Sequence, residues 1–275
     1  MLCTKVCSKV LNALLSVCAT LGCCVLPAAA DTAVVVPAAV TGTIATAIAD
    51  PARPAEQVAH DGERHPGELL SFAGIRRGDR VADFMSGGAY FTRLFSRLVG
   101  EDGRVYAFLP DEQLKHCAPA ETAGTRALAG DAHYGNVRVL SAPVVQFSTP
   151  EPLDLVWTSL NFHDLYDSFM GPADVPQVVA SLYKALKPGG VLVVVDHVAQ
   201  RGSQLRDTES LHRIDPEAII RTVTAAGFVL ETESHVLRNA ADNHELAVFD
   251  PAIRGRTDQV VLKFRKPGAA VALNF

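Results

Sequence analysis

Apolar and polar positions along the chain follow two alternating periods. Short apolar runs recur at Arg80–Met85, Arg104–Leu109, Val137–Ser141, Leu153–Leu160 and Val191–Asp196, and later at Val229–Val236 and Gln259–Phe264. Each run is bounded by Gly, Pro or Asp residues and reads as a strand. A helical period lies between them. Phe91, Leu94, Phe95 and Leu98 stand at i, i+3, i+4 and i+7 within Tyr90–Val99. Val175–Leu186 is a second such stretch, closed by Lys187-Pro188-Gly189-Gly190. Glu217–Ala226 is a third, with Pro216 at its first turn and Gly227 past its end. Residues 50–75 read as two helical pieces starting near Pro54 and Pro66, and 111–129 as helical with interruptions at Pro119 and Gly124. Val191–Asp196 is apolar on both faces, as a central parallel strand is. Strand and helix alternate, so the pattern predicts a doubly wound α/β domain. Its sheet is seven-stranded and mostly parallel, with helices on both faces.

The first 30 residues change the accounting. Lys5 and Lys9 precede an apolar stretch from Val10 to Leu26, and Ala28-Ala29-Ala30 offers small residues before Asp31. This is the pattern of a cleaved secretory signal peptide. The expectation is therefore an exported, periplasmic chain, tethered to the membrane if the leader is retained. Residues 31–52 read as a tether or a packed N-terminal extension, and 53–275 as the domain, with its core at about 65–267. The leader holds five of the six cysteines, which leaves Cys117 alone and excludes an internal disulfide after cleavage. Losing two lysines takes the formal charge from −5 to about −7. That balance argues against a dedicated nucleic-acid binder. No membrane span is expected after cleavage, and the oligomeric state is not legible.

Ligands of doubly wound sheets bind beyond the carboxyl ends of the strands. After the first strand comes Asp83-Phe84-Met85-Ser86-Gly87-Gly88-Ala89, either a tight turn that needs glycine or a loop that lets a ligand approach the backbone. After the fourth comes Asn161-Phe162-His163-Asp164, where His163 could act as a general base oriented by a carboxylate, or the segment could simply cap a turn. After the fifth comes Asp196-His197, followed by a polar loop reaching His212. His163, Asp164, His197 and His212 are the catalytic candidates. Three histidines near carboxylates could hold a divalent cation, but their spacing matches no compact metal motif, so no metal ligand is assigned. Asp61 and Arg64 could pair with each other or close over the site, and Asp242 and Asp250 are similarly undecided.

Several of these segments together resemble the class I S-adenosylmethionine-dependent methyltransferases, which have a Rossmann-like fold. They are Val81-Ala82-Asp83 with its glycine loop, Arg104–Phe108, Asp154-Leu155-Val156, the Leu186-Lys187-Pro188-Gly189-Gly190 element, and Ala225-Ala226-Gly227-Phe228. Asp61-x-x-Arg64-x-Pro66, Asn161–Asp164, Leu211–Asp215, and Thr257-Asp258 leading into Lys263–Pro267 are similar to a group of exported bacterial predicted methyltransferases defined by sequence. The resemblance implies S-adenosylmethionine as cofactor, a small-molecule methyl acceptor, and cofactor contacts from Asp83, Met85, Ser86, Gly87, Gly88, Leu109 and Asn161. It also exposes departures. Met85 and Ala89 replace the outer glycines of the loop. Leu109 stands where the family carries the acid that holds the ribose, with Asp111 and Glu112 just beyond, and Ser141-Ala142-Pro143 stands where the acid near the adenine would be. The cofactor site is thus expected to be atypical. The alternative is a methyltransferase-fold enzyme or binding protein that does not use this cofactor.

Overall fold

A computed structural model of the protein describes residues 38–171 and 173–268. Residues 1–30, where a signal peptide is expected, and residues 31–37 lie outside them. The elements run α1 (Ala38–Ile48), α2 (Ala55–Val58), α3 (Asp61–Arg64), α4 (Pro66–Ala73), β1 (Arg80–Phe84), α5 (Tyr90–Val99), β2 (Arg104–Pro110), α6 (Asp111–His116), α7 (Pro119–Ala127), β3 (Val137–Ala142), β4 (Leu153–Ser159), α8 (Val175–Ala185), β5 (Leu186–His197), α9 (Thr208–Leu211), α10 (Pro216–Ala225), β6 (Val229–Ser234) and β7 (Gln259–Arg265), with short 3₁₀ turns between some of them. The seven strands form one sheet in the order β3-β2-β1-β4-β5-β7-β6. β7 is inserted antiparallel between β5 and β6, and the five strands before it are parallel. The predicted fold class is therefore the observed one. The strand order reverses between β1 and β4, so the switch-point crevice opens beyond Asp83 and Trp157, which are register partners.

The period-2 alternation of the strands feeds two cores. Ala82, Phe84, Tyr106, Phe108, Val156, Leu192 and Val194 point to one face and pack with Val178, Val179 and Leu182 of α8 and Ile219 and Val223 of α10. Val81, Val105, Ala107, Leu155, Trp157, Val193 and Val195 point to the other, against Leu69 and Leu70 of α4 and Leu94, Phe95 and Leu98 of α5. Ile44 and Ala47 of α1 are buried in this second core, so the described part of the 31–52 stretch is a packed extension and not a tether. No helix of the described residues is long and apolar enough to cross a membrane.

Local expectations needed adjustment in three places. The 50–75 region forms three helical pieces, α2, α3 and α4. The Lys187–Gly190 turn belongs to the start of β5, because helix α8 already stops at Ala185. Gly124 does not interrupt its helix: α7 runs through it to Ala127. A Cβ at Gly124 would lie 2.5 Å from the Gly88 carbonyl oxygen, so glycine serves there to let α7 lie against the loop after β1.

Candidate active site at the carboxyl edge of the sheet

The loop after β1 keeps a glycine-like backbone without the full set of glycines. Met85, Gly87 and Ala89 have φ of 60°, 51° and 68°. For Met85 and Ala89 this left-handed geometry costs about 1–2 kcal/mol per residue. Both side chains are buried, and packing holds them there. The loop is braced from below. The Gly88 carbonyl accepts hydrogen bonds from Arg93 Nη1 (3.0 Å) and Gln57 Nε2 (2.8 Å), and the Gly87 carbonyl accepts one from Thr125 Oγ1 (2.7 Å). Asn161 Nδ2 donates to the Met85 carbonyl at 2.8 Å, bridging the ends of β4 and β1 across the switch point. Asp83 is buried and accepts a 2.5 Å hydrogen bond from Thr92 Oγ1. Burial pushes its carboxyl up to about 7, which the Thr92 hydroxyl only partly offsets.

Leu109 is a core residue. It lies within β2, opposite Ser141, and is 1% exposed. Its expected contact with a cofactor is corrected accordingly: strand β2 runs one residue further, to Pro110, and the first polar side chain beyond it is Asp111. Asp111 accepts a 2.6 Å hydrogen bond from Ser141 Oγ at the surface. This pair joins the ends of β2 and β3, where the family's ribose and adenine anchors would stand.

The residues present fit S-adenosylmethionine at the backbone. A Cβ built on Gly87 meets no atom within 4 Å, so the loop faces open space where a ligand can approach. Ser86 and Gly87 are half-buried and Gly88 is exposed. Ser86, Gly87 and Gly88 would hold the cofactor through the loop, with Asp111 and Ser141 as the nearest polar groups for its ribose and adenine. Met85 and Asn161 contribute by shaping this loop; the Asn161 amide is committed to the Met85 carbonyl.

The ends of β4 and β5 carry a denser chemistry. The chain leaves β4 through Leu160, with φ of 60°, and enters a 3₁₀ turn over His163–Tyr166. His163 is 3% exposed. Its Nδ1 is 2.7 Å from Asp196 Oδ1, its backbone N–H donates to Asp196 Oδ2 at 2.8 Å, and its Nε2 is 3.0 Å from Asp164 Oδ1. Burial alone would push the imidazole down, but Asp196 and Asp164 override it and raise it to about 10. His163 is therefore a cation held between two carboxylates. His212, in the left-handed region at φ 52°, brings its Nδ1 to 3.8 Å from both Asp164 Oδ1 and Asp167 Oδ2. His197 neighbours this group but shares none of its ion pairs. Its ring centroid is 6.1 Å from that of His163, and its Nδ1 meets Thr257 Oγ1 at 2.8 Å. Burial pushes His197 down to about 3, so it is a neutral imidazole.

His197 lines a cavity of about 260 Å³ whose walls include Leu69, Phe91, Leu160, Val248 and Phe249, with Arg64 among its polar residues. A larger groove of about 550 Å³ lies beside Arg77, Arg97, Arg104 and Asn136, at the amino-terminal end of β2 and away from the strand carboxyl ends. Asp61 and Arg64 do not pair with each other. Asp61 binds the buried Arg53 at 2.6 and 2.9 Å and accepts from Tyr90 Oη at 2.5 Å, whereas Arg64 stacks over the Tyr90 ring at 4.5 Å. Tyr90 opens α5, so this segment fastens α3 to the helix that follows the glycine loop. Asp242 proves to be the partner of the fully buried Arg213, at 2.9 Å.

The expected neighbours do come together: the rings of His212 and His197 lie 5.5 and 6.1 Å from that of His163, while Asp164 joins only His163 and His212. Asp196 had a legible signal, a carboxylate closing an all-apolar strand. Asp167, Arg53 and Tyr90 had none as site residues, because their partners are distant in sequence, and Thr257 was marked only by the resemblance.

No family model matches the chain. It is similar to the ubiquinone/menaquinone biosynthesis C-methyltransferase UbiE of Marinomonas sp., with 26% identity over 193 residues that cover 70% of this chain and 69% of the relative. Among solved structures it resembles an S-adenosylmethionine-dependent methyltransferase from Aquifex aeolicus, with TM-score 0.51, 16% identity, and 82% and 98% of the two chains covered. It also resembles the [4+2]-cyclase SpnF, with TM-score 0.54, 16% identity, and 83% and 94% covered. The sheet order, the glycine-type loop and these likenesses agree: the chain has the fold of the class I S-adenosylmethionine-dependent methyltransferases and is similar in sequence to one of them.

Proposed function

We propose that the protein is an exported methyltransferase that moves a methyl group from S-adenosylmethionine to a small, largely apolar acceptor held beside His197. The observation that carries this reading is the cavity itself. It is walled by Leu69, Phe91, Leu160 and Val248, and it carries a neutral imidazole at the carboxyl edge of the sheet. The cofactor, when bound, supplies an electrophilic methyl group. The protein's contribution is then to orient an acceptor, exclude water and receive a proton. His197 is free to take the proton because it is unprotonated at neutral pH and Thr257 fixes its ring; held at about 3 by burial it is a weak base, which suits an acceptor whose proton becomes strongly acidic on methylation. His163 does not suit it. It already carries its proton between Asp164 and Asp196, so the role of general base passes from His163 to His197. Arg64, stacked on Tyr90, offers a cation to a polar group of the acceptor at the same wall. The UbiE relative is named for ubiquinone and menaquinone biosynthesis, which makes a quinol-like ring the first acceptor to try.

Calorimetry of the purified chain with S-adenosylmethionine and S-adenosylhomocysteine tests this reading. Micromolar binding of both is expected. Absence of binding at millimolar ligand would overturn it and favour the second reading, an enzyme that uses this cavity without methyl transfer. That reading draws on the absence of an acid at Leu109, where the family carries one, and on a fold shared with a cyclase. Export is tested separately, by N-terminal sequencing of protein recovered from the periplasm, where a new terminus at Asp31 is expected.

A further inference from the structure

We infer that His163 Nε2, Asp164, Asp167 and His212 form a binding site for one first-row divalent cation of the zinc or cobalt type. The inference is independent of the methyltransferase reading. One potential ligand atom from each of the four residues lies within 4.8 Å of all the others. Ligand atoms about 2.1 Å from a tetrahedral ion stand about 3.4 Å from one another. The contacts here bracket that value: 3.0 Å from His163 Nε2 to Asp164 Oδ1, and 3.8 Å from His212 Nδ1 to both Asp164 Oδ1 and Asp167 Oδ2.

Two further observations distinguish the group from an ordinary ion-pair network. The first is Asp167. Its side chain is 1% exposed, and neither carboxylate oxygen has a hydrogen-bond partner. The Thr208 hydroxyl donates to the Leu205 carbonyl at 3.3 Å and lies near enough to Asp167 to favour its charged form. A buried carboxylate without donors is costly, and this one is aimed at the centre of the cluster. A cation there would satisfy it. The second is Asp196, which is fully buried and binds both Nδ1 and the backbone N–H of His163. A carboxylate on the far nitrogen of a histidine fixes the ring and directs the other nitrogen at a metal, and such partners are a regular feature of metal sites. His163 Nε2 is so directed, and an ion would take the place of its proton.

The donor set of two imidazoles and two carboxylates suits zinc, cobalt or manganese better than magnesium or calcium, which prefer oxygen alone. The ion would tie the segment after β4 to the segment that follows α9. His212 also meets Phe249 edge-on, with ring centroids 4.9 Å apart, and Phe249 lines the cavity. The metal would therefore hold one wall of the proposed acceptor site.

The experiment uses the full chain, stripped with chelator and titrated with Co²⁺ and, separately, Zn²⁺. One ion per chain is expected, with the visible d–d bands of four- or five-coordinate Co²⁺. Asp167→Asn and His212→Ala should each weaken binding at least ~10-fold, and Asp196→Asn by about 10–100-fold. His197→Ala should leave the stoichiometry at one. Lack of Co²⁺ and Zn²⁺ uptake by the folded wild-type chain would overturn the inference, as would uptake that Asp167→Asn and His212→Ala leave unchanged. The wild-type titration decides even if a variant fails to fold. A chain that binds the metal but not S-adenosylmethionine keeps this site and loses the methyltransferase reading; the reverse result does the opposite.

Discussion

The two halves of the sheet's carboxyl edge are built on different principles. Around β1 and β2 the backbone carries the specialisation. Met85, Gly87 and Ala89 hold left-handed geometry, and Gln57, Arg93, Thr125 and Asn161 brace the carbonyls of the loop, while Leu109 is buried in the core and the first acid comes two residues later, at Asp111. Around β4 and β5 the side chains carry it. Three carboxylates converge on His163 and His212, a neutral His197 faces a cavity, and Asp167 stands buried without a donor. A shape that accepts a cofactor can survive loss of its polar anchors, because backbone geometry is held by packing below it. A buried charge cluster costs stability for each member left uncompensated, as Asp167 is.

The largest effect should come from breaking the charged half at its foundation. Arg213 is fully buried, pairs with Asp242 at 2.9 Å and donates to the Val198 and Leu246 carbonyls, each at 2.9 Å. Arg213→Ala strands a buried carboxylate and should cost about 3–5 kcal/mol of unfolding free energy. Chemical denaturation measures it, and a loss below about 1 kcal/mol would mean that the pair is not buried in solution. Next comes His197→Ala, expected to lower kcat of methyl transfer about 10²-fold while cofactor affinity is retained. Equal loss of affinity would place His197 on the cofactor side and dissolve the contrast between the halves.

The third test uses pH. Asp83 is raised to about 7 by burial, so the folded state holds its proton where the unfolded chain has lost it. Its contribution is fully present below about pH 4 and is lost as pH rises toward 7. Asp83→Asn should therefore become progressively more stable than the wild type across that window, read from unfolding free energies at each pH. His197 runs the other way. It is lowered to about 3, so the folded chain refuses a proton that the unfolded chain accepts, and stability falls as pH drops below about 6.5. His197→Ala should flatten that acid slope. The smallest effect is at the loop: Ala89→Gly relieves a left-handed alanine at φ 68° but gives up a buried methyl, for a net gain of about 0.5 kcal/mol or less. A clear loss in a thermal melt would show that the methyl group, more than the backbone, holds the loop.

Much of the fold was legible because it depends on period and punctuation. The strand runs, the Phe91-Leu94-Phe95-Leu98 stripe and the Gly227 stop all fell where the structure has them, since one apolar face per helix and two per central strand leave few other architectures. Gly124 was misread as a breaker because its reason, the approach of α7 to Gly88, is a contact over many residues of sequence. Leu109 was misread as a ligand contact because one extra residue of strand turned it into the core.

By itself, then, the sequence determined a mostly parallel sheet with Val191–Asp196 as a central strand, that a glycine-type turn would follow the first strand, and that histidines and carboxylates would crowd the ends of the fourth and fifth. Those are local properties of apolar period, backbone conformation and residue order. Tertiary structure alone decided which histidine carries a proton and which does not. His163 and His197 follow adjacent strands, yet one is clasped by Asp164 and Asp196 and the other meets Thr257 at a cavity wall. Protonation is set by burial and by charges within a few ångströms, and those neighbours come from segments that only folding brings together.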